Sequence, residues 1–535
     1  MSTATKSPKR FNTVGPCVPS EHYLLPVLDR LPDVEEMIEG KFYFVLHAPR
    51  QSGKTTYLDF LTDKINSEGK MYALTCFLMT TRNIDDRNDS INTIFSQLNE
   101  SMRTSQVVNI RSKAESFNYL SGISDTDRKI KILLNSLCED LDKDLVVFFD
   151  EADCLSEAGL VTFLAQIRDG YNIRHQPGNK FPRSMALVGM RDIRDYLTSV
   201  RPGSQSRGLA SPFNIKKEAL TLANFTQNEI SDLYGQHTQA TGQVFEPSAV
   251  ERAWYWSEGQ PWLVNALADQ IVSKDLKSKP TQVITSQHFD DAAETLIKRR
   301  DTHIDSLLER LKEPRVIAVM DAVFAGIKGK VPINSDDRKY CLDLGLVTSG
   351  DSLDLRPANK IYQEVMSRVL TDQIQYVLDD NITRKKYFQV QDILMTDLLK
   401  DFQDFWCRNG QSFPKHNKNL DAIMYDEALH SLILFAYVQK ALNGQAKVHR
   451  EFAEGRGSVD ICAIYNDKQF MVEVKIKGHQ PLKMSIDKLV NYLVSARAKE
   501  GWLVIFDRDK SKNPEEKLYF RTECHNSKVI NILGC

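Results

Sequence analysis

The stretch that decides the fold reads LHAPRQSGKTT and runs from Leu46 to Thr56. It follows an apolar, β-prone run and precedes a helical pattern that opens at Lys54, which predicts a strand, a loop and a helix. In such a loop, backbone N–H groups point at phosphates and the helix N-terminus lies behind them. The lysine can reach the phosphates and Thr55 can offer a hydroxyl to Mg²⁺, so the stretch predicts a phosphate-binding site.

One position departs from the usual form of this loop. The pattern G-x-x-x-x-G-K-[ST] begins with glycine, whereas Ala48 stands at that position here. Alanine costs little wherever the backbone does not need a positive φ. The departure therefore weakens the match to the pattern more than it weakens the chemistry.

The second half of a nucleotide site follows downstream. The apolar run 145–149 ends in Asp150 and Glu151, where the aspartate can hold the water shell of Mg²⁺ and the glutamate can orient an attacking water. Residues 71–79 and 185–188 are further strand candidates. Strands that alternate with helices predict a parallel sheet covered on both faces. The alternative is a glycine-capped strand and an unrelated acidic helix cap that occur in the correct order by chance.

Length and composition limit the classes of protein. The 535 residues exceed one hydrophobic core, and roughly 150 residues per domain predicts about three or four domains. The net charge of -2 neither supports nor excludes nucleic acid as a partner. The nine cysteines are scattered without zinc spacing, which predicts a reduced, cytoplasmic chain. No window approaches the roughly 20 apolar residues of a membrane span, so no membrane partner is expected.

Changes of pattern along the chain predict five segments. Residues 1–215 are expected to form an α/β core with an N-terminal extension, and the helix-rich residues 216–305 a lid. Residues 306–372 have the outline of a winged helix, with helices before two short strands and a turn. Residues 373–420 are predicted to be a charged helical connector. Residues 421–535 are predicted to form a compact α/β domain that opens with an amphipathic helix over residues 425–442.

Most of residues 1–300 resemble the AAA+/signal-transduction P-loop ATPases related to origin-recognition proteins, particularly bacterial chains that join such an ATPase to a nuclease-like domain. The resemblance is carried by residues 11–12, 15–16, 46–56, 149–153, 189–196, 211–215 and 259–265. It implies ATP and Mg²⁺ as cofactors, a lid turn at Gly259-x-Pro261 that approaches the nucleotide, and a winged helix behind the lid. The implied nucleotide contacts are Ala48, Pro49, Arg50, Gln51, Ser52, Gly53, Lys54, Thr55, Thr56, Arg191 and Pro261. Thr55 and Asp150 would lie at the metal, and Glu151 would be a catalytic residue that orients the attacking water.

The arginines of this region allow more than one interpretation. The resemblance places Arg191 near the γ-phosphate as a sensor, but Arg191 and Arg194 equally fit a solvated surface pair. The resemblance also implies a homo-oligomer in which a neighbouring subunit supplies an arginine to the site. The candidates for that arginine, which the sequence does not rank, are Arg50, Arg168, Arg201 and Arg207.

A second group of charges lies in GSVDICAIYNDKQFMVEVK, residues 457–475. Two β-prone runs flank Asn466-Asp467, and these residue types tolerate the positive φ angles of a two-residue hairpin loop. Pairing outward from this turn sets Asp460 opposite Glu473, and period-two alternation puts Lys475 on the same face as Glu473. Two carboxylates on an otherwise apolar face favour a compensating divalent cation such as Mg²⁺. The alternative is an exposed strand face with an ordinary ion pair.

This pattern resembles the PD-(D/E)XK nuclease family. The resemblance implies that Asp460 and Glu473 bind metal. Lys475 would assist the nucleophile, and Glu427 on the preceding helix would complete the metal shell. Lys488 stands where many relatives carry the glutamine of a Gln-x-x-x-Tyr motif, which leaves the role of that helix open. Candidates for phosphate contacts, each of them also an ordinary solvated charge, are Arg450, Arg456, Lys477 and Lys483.

Together these patterns predict an ATP-regulated, Mg²⁺-dependent nuclease that cuts nucleic acid, with DNA as the first expectation. By family analogy, such a fusion suits defence or the handling of mobile DNA. The alternative is an ATP-dependent switch or DNA-binding remodeller whose nuclease-like domain does not cleave.

Overall fold

The three-dimensional structure is a computed structural model. It describes residues 9–117, 122, 125–190, 215–277, 279, 281–299, 302–324, 334–349, 355–378, 382, 387–389, 392–410, 428–442, 444–454, 457–478, 481–509 and 511–535. The chain divides into two compact units, of which the first comprises Met1–Leu296 with Lys339–Val347 and the second Ile297–Arg338 with Thr348–Cys535. In the described ranges, no helix has the length and apolar character needed to cross a membrane.

A five-stranded parallel sheet organises the first unit, in the order β2-β3-β4-β1-β5. Its strands are β1 Tyr43–His47, β2 Tyr72–Phe77, β3 Leu145–Asp150, β4 Ser184–Gly189 and β5 Lys216–Thr221. The first four lie where the apolar runs predict them. The fifth was not predicted, because it is an edge strand that pairs only with β1 and its sequence KKEALT carries charges.

Two apolar cores cover the sheet, one on each face. Tyr43 and Val45 of β1 pack into one core, whereas Phe44 and Leu46 pack into the other, as the alternation of side chains along a strand requires. All residues of β3 are buried. The predicted parallel sheet with both faces covered is therefore confirmed.

Helices surround this sheet and continue beyond it. They are α1 Asp33–Glu39, α2 Lys54–Glu68, α3 Arg87–Thr104, α4 Val108–Ala114, α5 Lys129–Asp140, α6 Glu157–Ile173, α7 Gln227–Thr241, α8 Pro247–Ser257, α9 Pro261–Asp269 and α10 Ser286–Arg299. A π-helical turn, Gln270–Asp275, extends α9. Helices α7 to α10 occupy the residues predicted to form the lid.

The next elements follow the order that a winged helix requires. They are α11 Thr302–Arg310, α12 Pro314–Phe324, α13 Ser335–Asp343, β6 Val347–Ser349, β7 Leu355–Pro357 and α14 Lys360–Val377. The two short strands pair with each other. Element order alone does not define this fold, so the winged helix stays a prediction.

A six-stranded mixed sheet, in the order β10-β11-β12-β13-β15-β14, organises the C-terminal part of the second unit. Its strands are β10 Lys447–Glu454, β11 Gly457–Tyr465, β12 Lys468–Ile476, β13 Glu500–Phe506, β14 Tyr519–His525 and β15 Lys528–Gly534. The shorter β8 Phe388–Gln389 and β9 Asp392–Ile393 pair separately. The helices are α15 Met395–Asn409, α16 Leu429–Leu442, α17 Leu482–Ser495 and α18 Pro514–Lys517.

Two sequence expectations differ from this structure. The described part of the predicted amphipathic helix, α16, is buried along all of residues 432–438, so the prediction of a single apolar face is wrong. The physical reason is that α14, α15 and β10 all pack against this helix. The predicted connector also contributes to the core, since Leu398, Leu399 and Phe402 of α15 pack against the apolar side chains of the second sheet.

Gly259 offers a test of the lid packing within the first unit. Its φ is +75°, and an added Cβ would lie 1.9 Å from the carbonyl oxygen of Phe225. We expect Gly259→Ala to lower the free energy of unfolding by more than about 3 kcal/mol, because backbone strain and a steric clash combine. Gly242 has a similar φ of +79° but open space around it, so Gly242→Ala should cost only about 1 kcal/mol. Urea denaturation followed by circular dichroism measures both, and equal losses would contradict this packing.

Candidate functional site

The loop between β1 and α2 has the backbone of a phosphate-binding loop. Gly53 adopts a φ of 94° immediately before α2 begins, a conformation that favours glycine. Ala48 is absent from the positive-φ residues of the described chain, which is the condition under which alanine costs little at this position. The Lys54 ammonium donates to the carbonyl oxygens of Ala48 at 2.7 Å and Pro49 at 2.8 Å. Burial lowers the pKa of Lys54, and the acidic residues around it oppose that shift.

Asp150 lies directly beside the start of α2. The Thr55 hydroxyl donates to Asp150 Oδ2 at 2.8 Å, and the Glu151 backbone N–H donates to Oδ1 at 2.9 Å. Asp150 is 1% exposed, and burial raises its pKa while Thr55 and Lys54 lower it. A hydroxyl and a carboxylate oxygen at hydrogen-bond distance are hard ligands of the kind that Mg²⁺ prefers. These residues therefore fit the implied nucleotide-bound cation.

Glu151 adopts a left-handed backbone conformation at the end of β3, with a φ of 56°. Its Oε2 lies 3.9 Å from Arg82 Nη2 and accepts a hydrogen bond from the Cys154 thiol at 3.4 Å. Burial raises the pKa of Cys154 to about 11, which keeps the thiol protonated as a donor. The sequence did not predict that Arg82 belongs to this site. Arg82 follows the end of β2 and is distant from Glu151 in the sequence, so no local pattern links the two residues.

A cavity of about 710 Å³ opens over the loop. Its size lies in the range of small-molecule sites. The residues that line it come from the N-terminal extension, the loop, the ends of β3 and β4, and the lid, and include Asn12, Arg30, Lys54, Asp150, Pro261 and Trp262.

Hydrogen bonds tie the lid and the N-terminal extension to the loop. Gln260, in the turn before α9, donates to the Gln51 carbonyl oxygen at 3.4 Å, so this turn lies against the loop. Trp262 Nε1 donates to the Thr13 carbonyl oxygen at 2.9 Å. Sequence reasoning also missed Arg30, whose guanidinium lies 4.7 Å from the centre of the Phe225 ring and lines the same cavity.

The second group of site residues lies on β11 and β12. Tyr465 pairs with Lys468 and Ile461 with Val472, so the predicted hairpin is confirmed. Its loop residues, Asn466 and Asp467, have positive φ angles of 48° and 61°. The same register sets Asp460 beside Glu473. Asp460 Oδ2 accepts a hydrogen bond from the Val474 backbone N–H at 2.6 Å, which fixes the carboxylate across the two strands.

Glu473 is the most buried acid of this group, with 0% of the residue exposed. Lys475 Nζ lies 2.8 Å from Glu473 Oε1 and 3.8 Å from Asp460 Oδ2. Burial raises the pKa of Glu473, Asp460 raises it further, and the nearby lysines lower it. Burial would lower the pKa of Lys475, but the two carboxylates raise it. Lys475 is therefore the cation that joins both acids, and the alternative of an exposed ion pair is excluded by the burial of Glu473.

Lys488 on α17 is a further member of this group. Its Nζ donates to Glu473 Oε1 at 2.6 Å, and Asp460 and Glu473 raise the pKa of Lys488 against the effect of burial. The sequence left the role of Lys488 open. The contact joins a helix to a strand, and the spacing of residues along the chain does not predict such a contact.

Several predicted residues fall outside this picture. Arg191, Arg194, Arg201, Arg207, Glu427 and Arg456 lie outside the described residues. In the part of the chain that is described, no three His, Cys, Asp or Glu side chains gather into a group that could hold a metal. The predicted third acidic ligand, Glu427, is among the residues not described.

The candidate phosphate contacts differ in how far their side chains are exposed to solvent. Arg450 is 3% exposed and donates to Ser431 Oγ at 2.9 Å and to the Phe324 carbonyl oxygen, so its prediction as a phosphate contact is wrong. Lys477 keeps 55% of its side chain exposed while it pairs with Asp507 at 2.8 Å. Lys483 is exposed at the start of α17. These two lysines remain candidates.

Comparison with known protein families finds no match, and comparison with curated proteins finds none. Among solved structures, the chain is similar to a Walker-type ATPase of Pyrococcus abyssi, with 14% identity, a TM-score of 0.46, and coverage of 66% of this chain and 99% of that one. It is similar to the Thermotoga maritima RuvB Holliday junction branch migration motor, with 15% identity, a TM-score of 0.33, and coverage of 61% and 89%. It is also similar to the Aeropyrum pernix ORC2 protein in ADPNP-ADP complexes, with 16% identity, a TM-score of 0.37, and coverage of 65% and 91%.

These likenesses are distant in sequence and in structure. The assignment of the nucleotide site therefore rests on the geometry of the loop and of Asp150. The most informative observation is the hydrogen bond between Thr55 and Asp150, because it joins the two halves of the sequence pattern across 95 residues.

The Thr55 hydroxyl provides a direct test of this site. We expect Thr55→Ala to weaken Mg²⁺-dependent binding of a fluorescent ATP analogue by roughly tenfold or more, because one hard oxygen ligand is lost. Thr55→Ser keeps the hydroxyl and should bind within about twofold of the unaltered protein. Fluorescence anisotropy with Mg²⁺ or with EDTA measures both variants. Equal affinities of the two variants in Mg²⁺ would contradict the proposed role of the hydroxyl.

Proposed function

We propose that this chain is an ATP-binding and ATP-hydrolysing protein whose C-terminal domain is a Mg²⁺-dependent nuclease under nucleotide control. The ATPase part rests on the contact between Thr55 and Asp150 beneath a cavity of nucleotide size. The nuclease part rests on Asp460 and Glu473, which lie beside each other on paired strands and share one lysine.

In the ATPase site, each polar group has a distinct task. Lys54 lies folded back onto two loop carbonyls and offers its ammonium to the β- and γ-phosphates. Thr55 and Asp150 would hold Mg²⁺ and its water shell. Glu151 lies next to Asp150 with 39% of its side chain exposed, and can orient the attacking water. Arg191 remains the proposed sensor of the γ-phosphate.

The surroundings of Asp460 and Glu473 are suited to a divalent cation. Glu473 Oε2 is buried and has no hydrogen-bond partner among the described residues, which is costly for a carboxylate. Asp460, which keeps 26% of its side chain exposed, opens the group to solvent. We propose these two acids as ligands, with Glu427 completing the shell.

In the proposed C-terminal site, the metal and the protein side chains would have different chemical roles. A bound Mg²⁺ supplies a water of lowered pKa and neutralises charge on a phosphodiester. Lys475 lies within 3.8 Å of both acids and can position that water or stabilise the negative charge that develops on the phosphorane oxygens. The exposed Lys477 and Lys483 offer cations to the nucleic-acid backbone.

A second candidate function is a nucleotide-dependent switch or DNA-binding remodeller whose nuclease-like domain does not cleave. The observation that favours it is the charge balance at Glu473. Two ammonium groups contact one oxygen of this carboxylate, so its charge is compensated without a metal. This candidate predicts ATP binding without metal-dependent cutting.

The partners and pathway extend the proposal. We propose DNA as the substrate, a homo-oligomer as the assembly, the cytoplasm as the location, and defence or the handling of mobile DNA as the role. These points rest on the resemblance of residues 1–300 and 457–475 to the two families.

Cleavage of nucleic acid tests the nuclease directly. Purified protein is incubated with plasmid DNA, single-stranded DNA and RNA, with Mg²⁺ or Mn²⁺. We expect Glu473→Gln and Asp460→Asn each to lower the cleavage rate at least about 100-fold, because each removes a charged metal ligand. Asp467→Asn, at the exposed tip of the same hairpin, is the matched control and should cleave normally. No cleavage by the unaltered protein under any of these conditions would favour the non-cleaving switch.

The dependence of cleavage on ATP tests nucleotide control. We expect ATP to change the cleavage rate of the unaltered protein but not that of Lys54→Ala, because the lysine that contacts the phosphates is missing. Lys64→Ala, on the exposed side of the same helix, is the control and should keep the response. An unchanged response to ATP in Lys54→Ala would show that control does not pass through this loop.

A further inference from the structure

We propose that Lys488 is a displaceable cation that competes with the divalent metal for Glu473 and so sets the metal concentration at which the C-terminal site loads. This inference rests on the proposed metal site and deepens it, because it names how that site is regulated.

The two oxygens of Glu473 have very different surroundings. Lys475 Nζ at 2.8 Å and Lys488 Nζ at 2.6 Å both contact Oε1. Oε2 is buried, and no described residue donates to it. A carboxylate oxygen accepts about two hydrogen bonds through its lone pairs, so the two ammonium groups saturate Oε1. Lys475 joins Oε1 to Asp460 Oδ2, so a metal shared by Glu473 and Asp460 must approach Oε1 as well as the open Oε2, and must displace one of the two ammonium groups.

Lys488 is the ammonium that can leave. Its side chain is 37% exposed, against 22% for Lys475. Lys475 lies between both acids, whereas the short contact of Lys488 is to Glu473 alone. The four-carbon stem of lysine is flexible and lets the ammonium reach water without movement of the helix. The ring of Tyr492, one turn along α17, has its centroid 5.4 Å from Lys488 Nζ and offers a neighbouring cation–π contact.

The net charge of the four side chains indicates whether Lys488 strengthens or weakens metal binding. With both lysines in place, two carboxylates face two ammonium groups, and the cluster has no net charge. A divalent cation entering this cluster is repelled by both lysines. Removal of one ammonium leaves a net negative charge and an available lone pair on Oε1, so the metal should bind more tightly.

Metal binding, measured without nucleic acid or nucleotide, tests this inference. The full chain is titrated with Mn²⁺ by isothermal calorimetry, and the Glu473→Gln protein defines the contribution of this site. We expect Lys488→Met and Lys488→Gln to lower the Kd for Mn²⁺ at this site by roughly tenfold or more. Lys499→Met removes an exposed lysine beyond the C-terminal end of the same helix and should leave the Kd unchanged. Circular dichroism melting establishes that each variant is folded.

The outcomes separate this inference from the proposed function. Glu473-dependent Mn²⁺ binding that is equal or weaker in both Lys488 variants would overturn the displaceable cation and leave the metal site standing. An equal gain of affinity in Lys499→Met would overturn it too, because the effect would then reflect general charge. No Glu473-dependent Mn²⁺ binding in any variant would remove the metal site, and with it both proposals.

Discussion

A carboxylate that is removed from water must be compensated by cations or hydrogen bonds, since the uncompensated cost is several kcal/mol per ion. Asp150 and Glu473 are 1% and 0% exposed, and each lies on a strand of one of the two main sheets. The neighbourhood of each is arranged around this constraint. Thr55 and the Glu151 backbone N–H donate to Asp150, with Lys54 nearby, while Lys475 and Lys488 contact Glu473.

The same constraint connects the structure to the proposed function in both places. In each place, donors on the protein compensate the carboxylate while no ligand is bound. A bound metal could replace those donors, so the carboxylate is already positioned to bind one. The two sites differ in how they are compensated. Asp150 is stabilised mainly by hydrogen bonds that leave oxygen ligands beside an open cavity, whereas two full positive charges contact Glu473. The proposed nucleotide site would therefore accept a cation readily, and the proposed C-terminal metal site is expected to resist one.

The sequence predicts the parts of this structure whose signals are local. β1 to β4 were found because strands buried on both faces read as apolar runs, and the turn at Asn466-Asp467 was found because its residue types suit positive φ angles. The edge strand β5 was not predicted, because its charged residues interrupt the apolar pattern typical of a buried strand. The burial of α16 on all sides depends on neighbours that are distant in sequence. The contact of Lys488 with Glu473 is likewise tertiary, as is the approach of Arg82 to Glu151.

The central claim is that this chain carries two separate carboxylate sites for divalent cations, one with a nucleotide and one without. Crystals grown with a non-hydrolysable ATP analogue and saturating Mn²⁺, measured at the manganese absorption edge, test it most directly. The account predicts one anomalous peak beside Thr55 and Asp150 and a second between Asp460 and Glu473. A peak at the first position alone, with Lys475 and Lys488 still on Glu473 at saturating Mn²⁺, would contradict it.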